Sequence, residues 1–382
     1  MGIYTKLENH AKRRPAELVK MKKDGAKIVG YIPEGYFPEE LAYAAGAIPV
    51  ALGKGGSYEM VAESLRYITR FTCTWCRTQI AYKMTGDIWY DLPELILIPT
   101  TDCNVKSIGD MFSYWSDTET MYYGVPHNKL PDAIDYYQES LKRVKAKLEK
   151  FTGNQITDEK LKAEINKQNT IRSLLKNISE LRKAENPPIT GFEFMKLQHY
   201  SMQADPDFLI ECLNEIYAEL KTMTVEKSDK IRLYLTGSTL AFGDYGLYEI
   251  VDQVGAEIVC EDFAGGVRNI LNNVEYNSGD LYADLTDAYF TKRREGAWFR
   301  PSAHRVDYLI DDIKNYNCDG VIWYEMLYRE SYDMQGFYFD KIIQEKTGVP
   351  MVKIETDYDA SEKGNIKTRV ETLCEIVIGG RQ

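Results

Sequence analysis

Residues 92–103 read LPELILIPTTDC, and this stretch decides the fold class. Its apolar run, which ends in Leu-Ile-Pro, is typical of a strand buried on both faces. The polar residues Thr-Thr-Asp-Cys follow directly at 100–103. Loops after parallel strands lie at the carboxyl edge of the sheet, where α/β proteins bind their ligands. The sequence therefore predicts a strand that presents Asp102 and Cys103 at a ligand site.

The alternation of strands and helices continues on both sides of this stretch. KIVGYIP (27–33) and PVALGKGG (49–56) predict strands, and PEELAYAAGAI (38–48) between them predicts a helix. Strands separated by helices of about a dozen residues imply a parallel, doubly wound sheet. Further strands are predicted at 230–238, 256–262, 318–326 and 349–359, with helices at 245–255 and 337–348.

A charged segment with helical spacing separates the two α/β runs, at 136–151 and 158–183. A chain of 382 residues is too long for one ordinary core, so two domains are expected. We predict an α/β fold of two doubly wound parallel-sheet domains, of the Rossmann or flavodoxin type, with a helical insert. The predicted units are an N-terminal α/β domain at 1–130, the helical insert at 131–228 and a C-terminal α/β domain at 229–382.

Composition limits the classes of partner. A net charge of −11 argues against nucleic acid or an anionic membrane surface as the main partner. The sequence has no run of 18 apolar residues, so we expect no membrane-spanning segment. Its first residues resemble a charged helix start rather than a signal peptide, and we expect a cytoplasmic protein.

Three of the seven cysteines form the clearest chemical motif. Cys73-Thr-Trp-Cys76 is a C-x-x-C, and Cys103 follows at the predicted strand end. A C-x-x-C allows both thiolates to bind one metal or cluster, and a third cysteine can complete the ligand set. A zinc site, a thioredoxin-like redox pair and inert buried cysteines are the alternatives, and spacing alone leaves them open.

Several stretches resemble the family of 2-hydroxyacyl-CoA dehydratases and benzoyl-CoA reductases, in the family's order and over almost the whole chain. The Pro-Glu-Glu-Leu run with Ala-Ala-Gly and the Thr-Thr-Asp-Cys pattern are specific in combination. The stretches are GYIPEGYFPEELAYAAGAIPVAL (30–52), CRTQIAYKM (76–84), LILIPTTDCNVKSIGDM (95–111), ENPPITGFEF (185–194), LYLTGSTL (233–240), DGVIWYEMLYRESYD (319–333) and VKIETDYD (352–359).

The resemblance implies an oxygen-sensitive protein with a 4Fe–4S cluster held by three cysteines. Cys76 and Cys103 match two of the family's ligands. Arg329 stands where the family usually has the third cysteine, and we expect Cys73 to replace it, with an altered or absent cluster as the alternative. The domain at 1–130 is thus the predicted cluster-binding domain.

The resemblance also implies an activity and its partners. Family members dehydrate an (R)-2-hydroxyacyl-CoA after an electron of low potential enters the thioester and forms a radical. That electron comes from a separate ATP-dependent activator, and the sequence here has no P-loop. A homologous second subunit or self-dimer is expected, with an acyl-CoA as substrate. Alternatives are an aryl-CoA reductase subunit, an electron-relay or structural partner subunit, and a small-molecule binding protein.

Six further residues are candidates for catalysis or binding. Ser238 and Thr239 follow a predicted strand and can offer hydroxyls to a phosphate or acyl oxygen, although a plain helix cap is the alternative. Lys54, in a glycine-rich turn, can bind a CoA phosphate. Arg293, in a basic cluster, can do the same, and a solvated loop is the alternative interpretation of that cluster. The candidates for catalysis are Glu39, Ser238 and Glu325.

Overall fold

A computed structural model describes residues 4–380, which form two four-stranded sheets. All neighbouring strands within each sheet are parallel, and helices connect them. The predicted α/β fold with two parallel sheets is confirmed. The strands are β1 (Lys27–Tyr31), β2 (Ala47–Ala51), β3 (Leu95–Pro99), β4 (Glu119–Tyr123), β5 (Ile231–Gly237), β6 (Ala256–Asp262), β7 (Gly320–Met326) and β8 (Met351–Thr356).

The two sheets have the same strand order, β2-β1-β3-β4 and β6-β5-β7-β8. In each sheet, the second strand along the chain lies on one side of the first strand and the third lies on its other side. The order therefore switches between β1 and β3 in one sheet and between β5 and β7 in the other. Such a switch point opens a crevice at the carboxyl ends of these strands. Strand β4 is not predicted from the sequence, because it lies at a sheet edge and only Tyr123 in it is fully buried.

Helices α1 to α15 cover both sheets and form the segment between them. Helix α14 begins seven residues before its predicted start, because its first turn is polar and carries acidic residues that suit a helix N-terminus. The helices are α1 (Thr5–Lys23), α2 (Glu39–Ala44), α3 (Tyr58–Ser64), α4 (Thr74–Met84), α5 (Ile88–Asp91), α6 (Cys103–Trp115), α7 (Pro131–Thr152), α8 (Asp158–Glu180), α9 (Gly191–Ser201), α10 (Pro206–Thr222), α11 (Gly246–Gln253), α12 (Leu281–Thr286), α13 (Arg305–Asn315), α14 (Glu330–Thr347) and α15 (Lys363–Gly380).

The helices between the sheets contact both of them. Helix α7 packs on β4, α8 packs on α2, and α9 packs on β6. Just after α8, Arg182 forms a fully buried ion pair with Glu261 of β6, with Nη2 and Oε1 3.0 Å apart. The predicted boundaries of the insert, at 131 and 228, stay predictions. Across residues 4–380, no helix is long and apolar enough to cross a membrane.

A backbone contact joins the two domains directly. The Gly55 N–H donates to the Phe242 carbonyl at 2.8 Å, and the Phe242 N–H donates to the Gly53 carbonyl at 2.9 Å. Gly56 has φ +75°, and a Cβ at this position would lie 2.7 Å from the carbonyl oxygen of Gly243. The glycine-rich turn at 53–56 is thus explained by the close approach of two backbones.

We expect Gly56→Ala to destabilise the protein more than Gly255→Ala, the matched control. Both glycines have φ near +75°, so both substitutions place alanine in the left-handed region at a cost of about 1–2 kcal/mol. Only Gly56 is crowded, since a Cβ at Gly255 meets no atom within 4 Å. Overpacking should add about 1–3 kcal/mol to the loss at Gly56. Urea unfolding measures both values, and equal losses would contradict the steric explanation.

Candidate functional site

Cys73 and Cys76 lie side by side at the start of α4, and both are fully buried. The two thiols interact closely enough for each to shift the pKa of the other. Burial raises the pKa of Cys76 well above its usual value, and the neighbouring Cys73 sulfur raises it further. Burial also acts to raise the pKa of Cys73, but the interaction with Cys76 and the charge of Arg329 outweigh it and lower that pKa. The pair therefore favours a thiolate at Cys73.

Cys103 lies at the carboxyl end of β3, where it begins α6. Its neighbour Asn104 connects it to the buried pair. The Asn104 Oδ1 accepts a hydrogen bond from the Cys73 N–H at 2.8 Å, and its Nδ2 lies 3.9 Å from the Cys103 sulfur. The same Nδ2 donates to the Tyr328 carbonyl at 3.3 Å. Asn104 thus links Cys103 to the backbone of Cys73.

Arg329, which is only 2% exposed, lies beside these cysteines and contacts three loops besides its own. Its Nη2 is 3.0 Å from Glu34 Oε1 and 2.8 Å from Asp102 Oδ2, and its Nη1 donates to the Thr239 hydroxyl. These partners follow β1, β3 and β5, while Arg329 itself follows β7. One guanidinium therefore joins the switch points of both sheets.

Glu34 is the part of this network that the sequence does not single out. It is 2% exposed, and burial raises the pKa of its carboxyl even though the Arg329 guanidinium opposes that shift. Burial acts to lower the pKa of Arg329, but Asp102 and Glu34 more than offset it. A signal was present, since Glu34 follows the first predicted strand closely, as Asp102 follows the third.

The spacing of the three sulfurs is wider than that of a compact metal site. Thiolates on one zinc ion lie about 3.8 Å apart, given Zn–S bonds of about 2.3 Å in a tetrahedron. Among the described residues, the one group of three metal-binding side chains with ligand atoms within 4.8 Å of one another is Glu325, Asp333 and Glu355, so the sulfurs of Cys73, Cys76 and Cys103 do not meet that spacing. The predicted cluster stays a prediction, and so do the alternatives of a zinc site and a redox pair.

Ser238 and Thr239 lie at the same crevice as Arg329. The Ser238 Oγ is buried and accepts a hydrogen bond from the Met326 N–H at 2.9 Å, so it joins the ends of β5 and β7. The Thr239 hydroxyl accepts a hydrogen bond from Arg329. Both hydroxyls thus organise the crevice, and their predicted roles in catalysis and cofactor binding stay predictions.

The two basic candidates have mainly other partners, although Arg293 Nη2 also donates to the Glu34 carbonyl at 3.4 Å. The Lys54 ammonium pairs with Asp87 and lies 4.7 Å from the centre of the Tyr82 ring. Arg293 is only 3% exposed, and it donates to the carbonyls of Arg268 at 3.0 Å and Ala264 at 2.9 Å. The solvated-loop interpretation is thus wrong for Arg293. Its burial also argues against a contact with CoA phosphates.

Glu39 and Glu325 occupy separate positions, and Glu39 is half-buried whereas Glu325 is buried. Glu39 accepts a hydrogen bond from the Tyr31 hydroxyl and lines a cavity beside α8, and burial raises its pKa to about 7. Burial also raises the pKa of Glu325 to about 7. Its Oε1 lies 3.4 Å from Lys353 Nζ, which also contacts Asp333. The acidic group around Glu325 is therefore an ion-pair network centred on a lysine, and the predicted catalytic roles stay predictions.

A cavity of about 630 Å³ opens beside Cys103. Its walls include Asp102, Lys106, His127 and Tyr136. Because Cys103 is exposed whereas Cys73 and Cys76 are buried, this cavity gives access to one thiol of the three.

We expect Arg329→Met to lower the free energy of unfolding by about 3–5 kcal/mol, because it leaves Glu34 and Asp102 buried without a counter-charge. Urea unfolding at neutral pH measures the loss. Adding Glu34→Gln and Asp102→Asn should recover part of it. Arg66→Met is the control, since Arg66 pairs with Glu63 on the surface and should contribute less than about 1 kcal/mol. A variant as stable as the parent would contradict a central role for Arg329.

Known proteins resemble this chain over most of its length. The (R)-phenyllactyl-CoA dehydratase beta subunit of Clostridium sporogenes is 25% identical, with 93% of both chains covered. The lactoyl-CoA dehydratase beta subunit of Anaerotignum propionicum is 24% identical, with 92% of both covered. One subunit of the benzoyl-CoA reductase of Thauera aromatica is 23% identical over 78% of this chain and 77% of its own. The family model described as 2-hydroxyglutaryl-CoA dehydratase, D-component, matches residues 34–377. With nearly all of its length matched, the chain belongs to this family of dehydratase and reductase components.

Proposed function

We propose that this chain is the iron–sulfur subunit of an oxygen-sensitive enzyme that dehydrates an (R)-2-hydroxyacyl-CoA by a radical route. The observation that supports the proposal is the link through Asn104, which binds the Cys73 backbone and lies beside the Cys103 sulfur at the crevice of the first sheet. Relatives named as dehydratase beta subunits support the class of reaction and substrate.

In this proposal the three thiolates hold a 4Fe–4S cluster. When bound, the cluster supplies a Lewis-acidic iron and an electron of low potential for the thioester. Cys73 and Cys76 would keep the side of the cluster that they bind away from water, because both are buried and Trp75 between them is 1% exposed. Arg329 offsets the negative charge of the thiolates, and Asn104 fixes Cys73 relative to Cys103. Cys103 lies on the open side, where a substrate can enter.

The proposal includes two protein partners. A homologous second subunit, or a second copy of this chain, completes the enzyme, as suggested by the relatives, each of which is named as one subunit of a larger enzyme. An ATP-dependent activator supplies the electron. The sequence has no phosphate-binding loop that would let this chain hydrolyse ATP itself.

A second candidate function is an electron-relay or structural partner subunit. It is favoured by the Arg329 network, because Glu34, Asp102 and Thr239 are engaged with the guanidinium instead of being free to handle a substrate. A subunit of an aryl-CoA reductase is a further candidate, supported by the likeness to the benzoyl-CoA reductase of Thauera aromatica.

We expect Cys76→Ser and Cys103→Ser each to lose most of the bound iron and of the charge-transfer absorbance, because each removes one of three thiolate ligands. Iron and sulfide are measured after anaerobic purification. Cys374→Ser is the matched control, since Cys374 is also buried but lies in α15, away from the crevice. Full iron content in both test variants would show that the ligand assignment is wrong.

We also expect turnover to require the partner and the activator. The purified chain, given an (R)-2-hydroxyacyl-CoA and a mild reductant, should release no enoyl-CoA until a partner subunit, an activator and ATP are added. Liquid chromatography of the thioesters measures the product. Dehydration by the chain alone without ATP would contradict the proposed division of roles.

A further inference from the structure

The cavity beside Cys103 contains a histidine that the proposed function does not use. His127 forms part of the wall of this cavity. Apolar side chains line it as well, and they are Val125, Pro126 and Ala133. Apolar walls with a few polar groups are typical of sites for small ligands. Because the cavity reaches the exposed cysteine of the three, it is the place where the acyl group of a thioester lies in the proposed function.

Three contacts from two loops hold His127 in one orientation. Its Nε2 lies 3.2 Å from the carbonyl oxygen of Thr100, the residue that follows β3. Its ring meets the buried ring of Trp298 edge-on, with the centroids 4.7 Å apart. The His127 carbonyl accepts a hydrogen bond from the Arg300 N–H at 2.6 Å. Trp298 and Arg300 lie between β6 and β7 of the second sheet, so both sheets contribute to the position of the imidazole.

The contact with Thr100 determines which ring nitrogen carries a hydrogen. A carbonyl oxygen can only accept a hydrogen bond, so Nε2 of His127 is the donor. In the neutral imidazole, Nδ1 then carries the lone pair and is the atom that can take up a proton. The fold thus presents a base with a fixed tautomer at the cavity beside Cys103.

The other charged side chains in the wall are less suited to accept a proton. Asp102 Oδ2 lies 2.8 Å from Arg329 Nη2, and its Oδ1 caps helix α6. Asp132 lies in the first turn of α7, where a carboxylate is stabilised by the helix dipole. Lys106 has an ammonium group, which is only a donor. Imidazole, in contrast, is the side chain that exchanges a proton most readily near neutral pH, which favours His127.

We infer that His127 is the base that removes a proton from C3 of the acyl group during dehydration. The inference rests on the proposed function, because it takes the ligand to be a 2-hydroxyacyl-CoA. It adds the residue that handles the proton, which the names of the relatives leave open.

The step conserves atoms and electrons. Dehydration breaks the C2–O bond and one C3–H bond of the acyl group, and a C2=C3 double bond forms. The hydroxyl leaves as hydroxide, while Nδ1 of His127 takes up the C3 hydrogen as a proton and leaves its bonding electrons with the carbon chain. Transfer of this proton from Nδ1 to the hydroxide gives water and restores the neutral imidazole. The electron that the activator supplies is returned, because loss of water is no net oxidation or reduction.

The test compares His127→Gln with the parent protein in the complete enzyme, kept anaerobic, with partner subunit, activator and ATP. The glutamine Nε2 can still donate to the Thr100 carbonyl, but an amide does not act as a base. We expect kcat to fall at least about 100-fold, the usual contribution of a general base. Bound iron and the dissociation constant of the thioester, measured by calorimetry, should change little. The substrates are (R)-lactoyl-CoA, (R)-phenyllactyl-CoA and (R)-2-hydroxyglutaryl-CoA, which are named among the relatives.

His304→Gln is the matched control and should keep the kcat of the parent. His304 is also exposed and pairs with Glu295, but it does not belong to the described wall of the cavity. A second measurement uses lactoyl-CoA that carries deuterium on C3. His127→Gln should show a larger isotope effect on kcat/KM than the parent, because proton removal becomes the slow step. A purely structural role would slow both isotopic forms equally.

A second variant covers the case in which His127→Gln fails to fold. His127→Ala removes the ring, and imidazole added to the buffer should restore part of its turnover without changing that of His304→Gln. Circular dichroism confirms that each variant is folded.

The outcomes separate the proposed function from the inference about His127. If the complete enzyme dehydrates none of the three thioesters, the proposed function fails and this inference fails with it. If a thioester is dehydrated but His127→Gln keeps the kcat of the parent, the inference alone is overturned, and the chemistry of the acyl group is then assigned to the partner subunit. Equal isotope effects in the parent and in His127→Gln would also overturn it.

Discussion

The buried guanidinium of Arg329 is the constraint on which the arrangement of the two domains depends. Its contacts with Glu34 and Asp102 bind the second domain to the first at the switch points of both sheets. A buried charge of this kind is tolerated only when its partners are in place, and removal of one partner leaves an uncompensated charge in the interior. The crevices of the two sheets therefore meet at the guanidinium of Arg329.

The Arg329 network also relates the two candidate roles of the chain. Its positive charge favours a thiolate at Cys73, which suits the binding of iron. The same guanidinium engages Glu34 and Thr239, two polar side chains at the crevice. This arrangement is compatible with both proposed roles, catalysis in this chain and electron relay to a partner subunit.

The helices between the sheets do more than connect the two domains. Helix α8 supplies Arg172, Ile171 and Leu175 to the cavity beside Glu39, and the turn before α10 forms another part of its wall. Helix α8 packs on α2 of the first domain, and the residue Arg182 that follows it binds β6 of the second. The cavity wall is thus assembled from both domains and the helices between them, so its volume depends on how all three pack.

The sequence by itself determined the two α/β runs, because buried strands and amphipathic helices leave periodic patterns within a few residues. It also singled out Cys73, Cys76 and Cys103 as candidate ligands, an assignment that stays a prediction. Only the tertiary structure showed that Arg329 pairs with Glu34, 295 positions away, and that Arg293 is buried. The edge strand β4 was likewise hidden, since a mostly half-exposed strand has no apolar run. The local sequence pattern indicates which face of a helix or strand is buried. Ion pairs between distant loops, in contrast, depend on the order of the strands in each sheet.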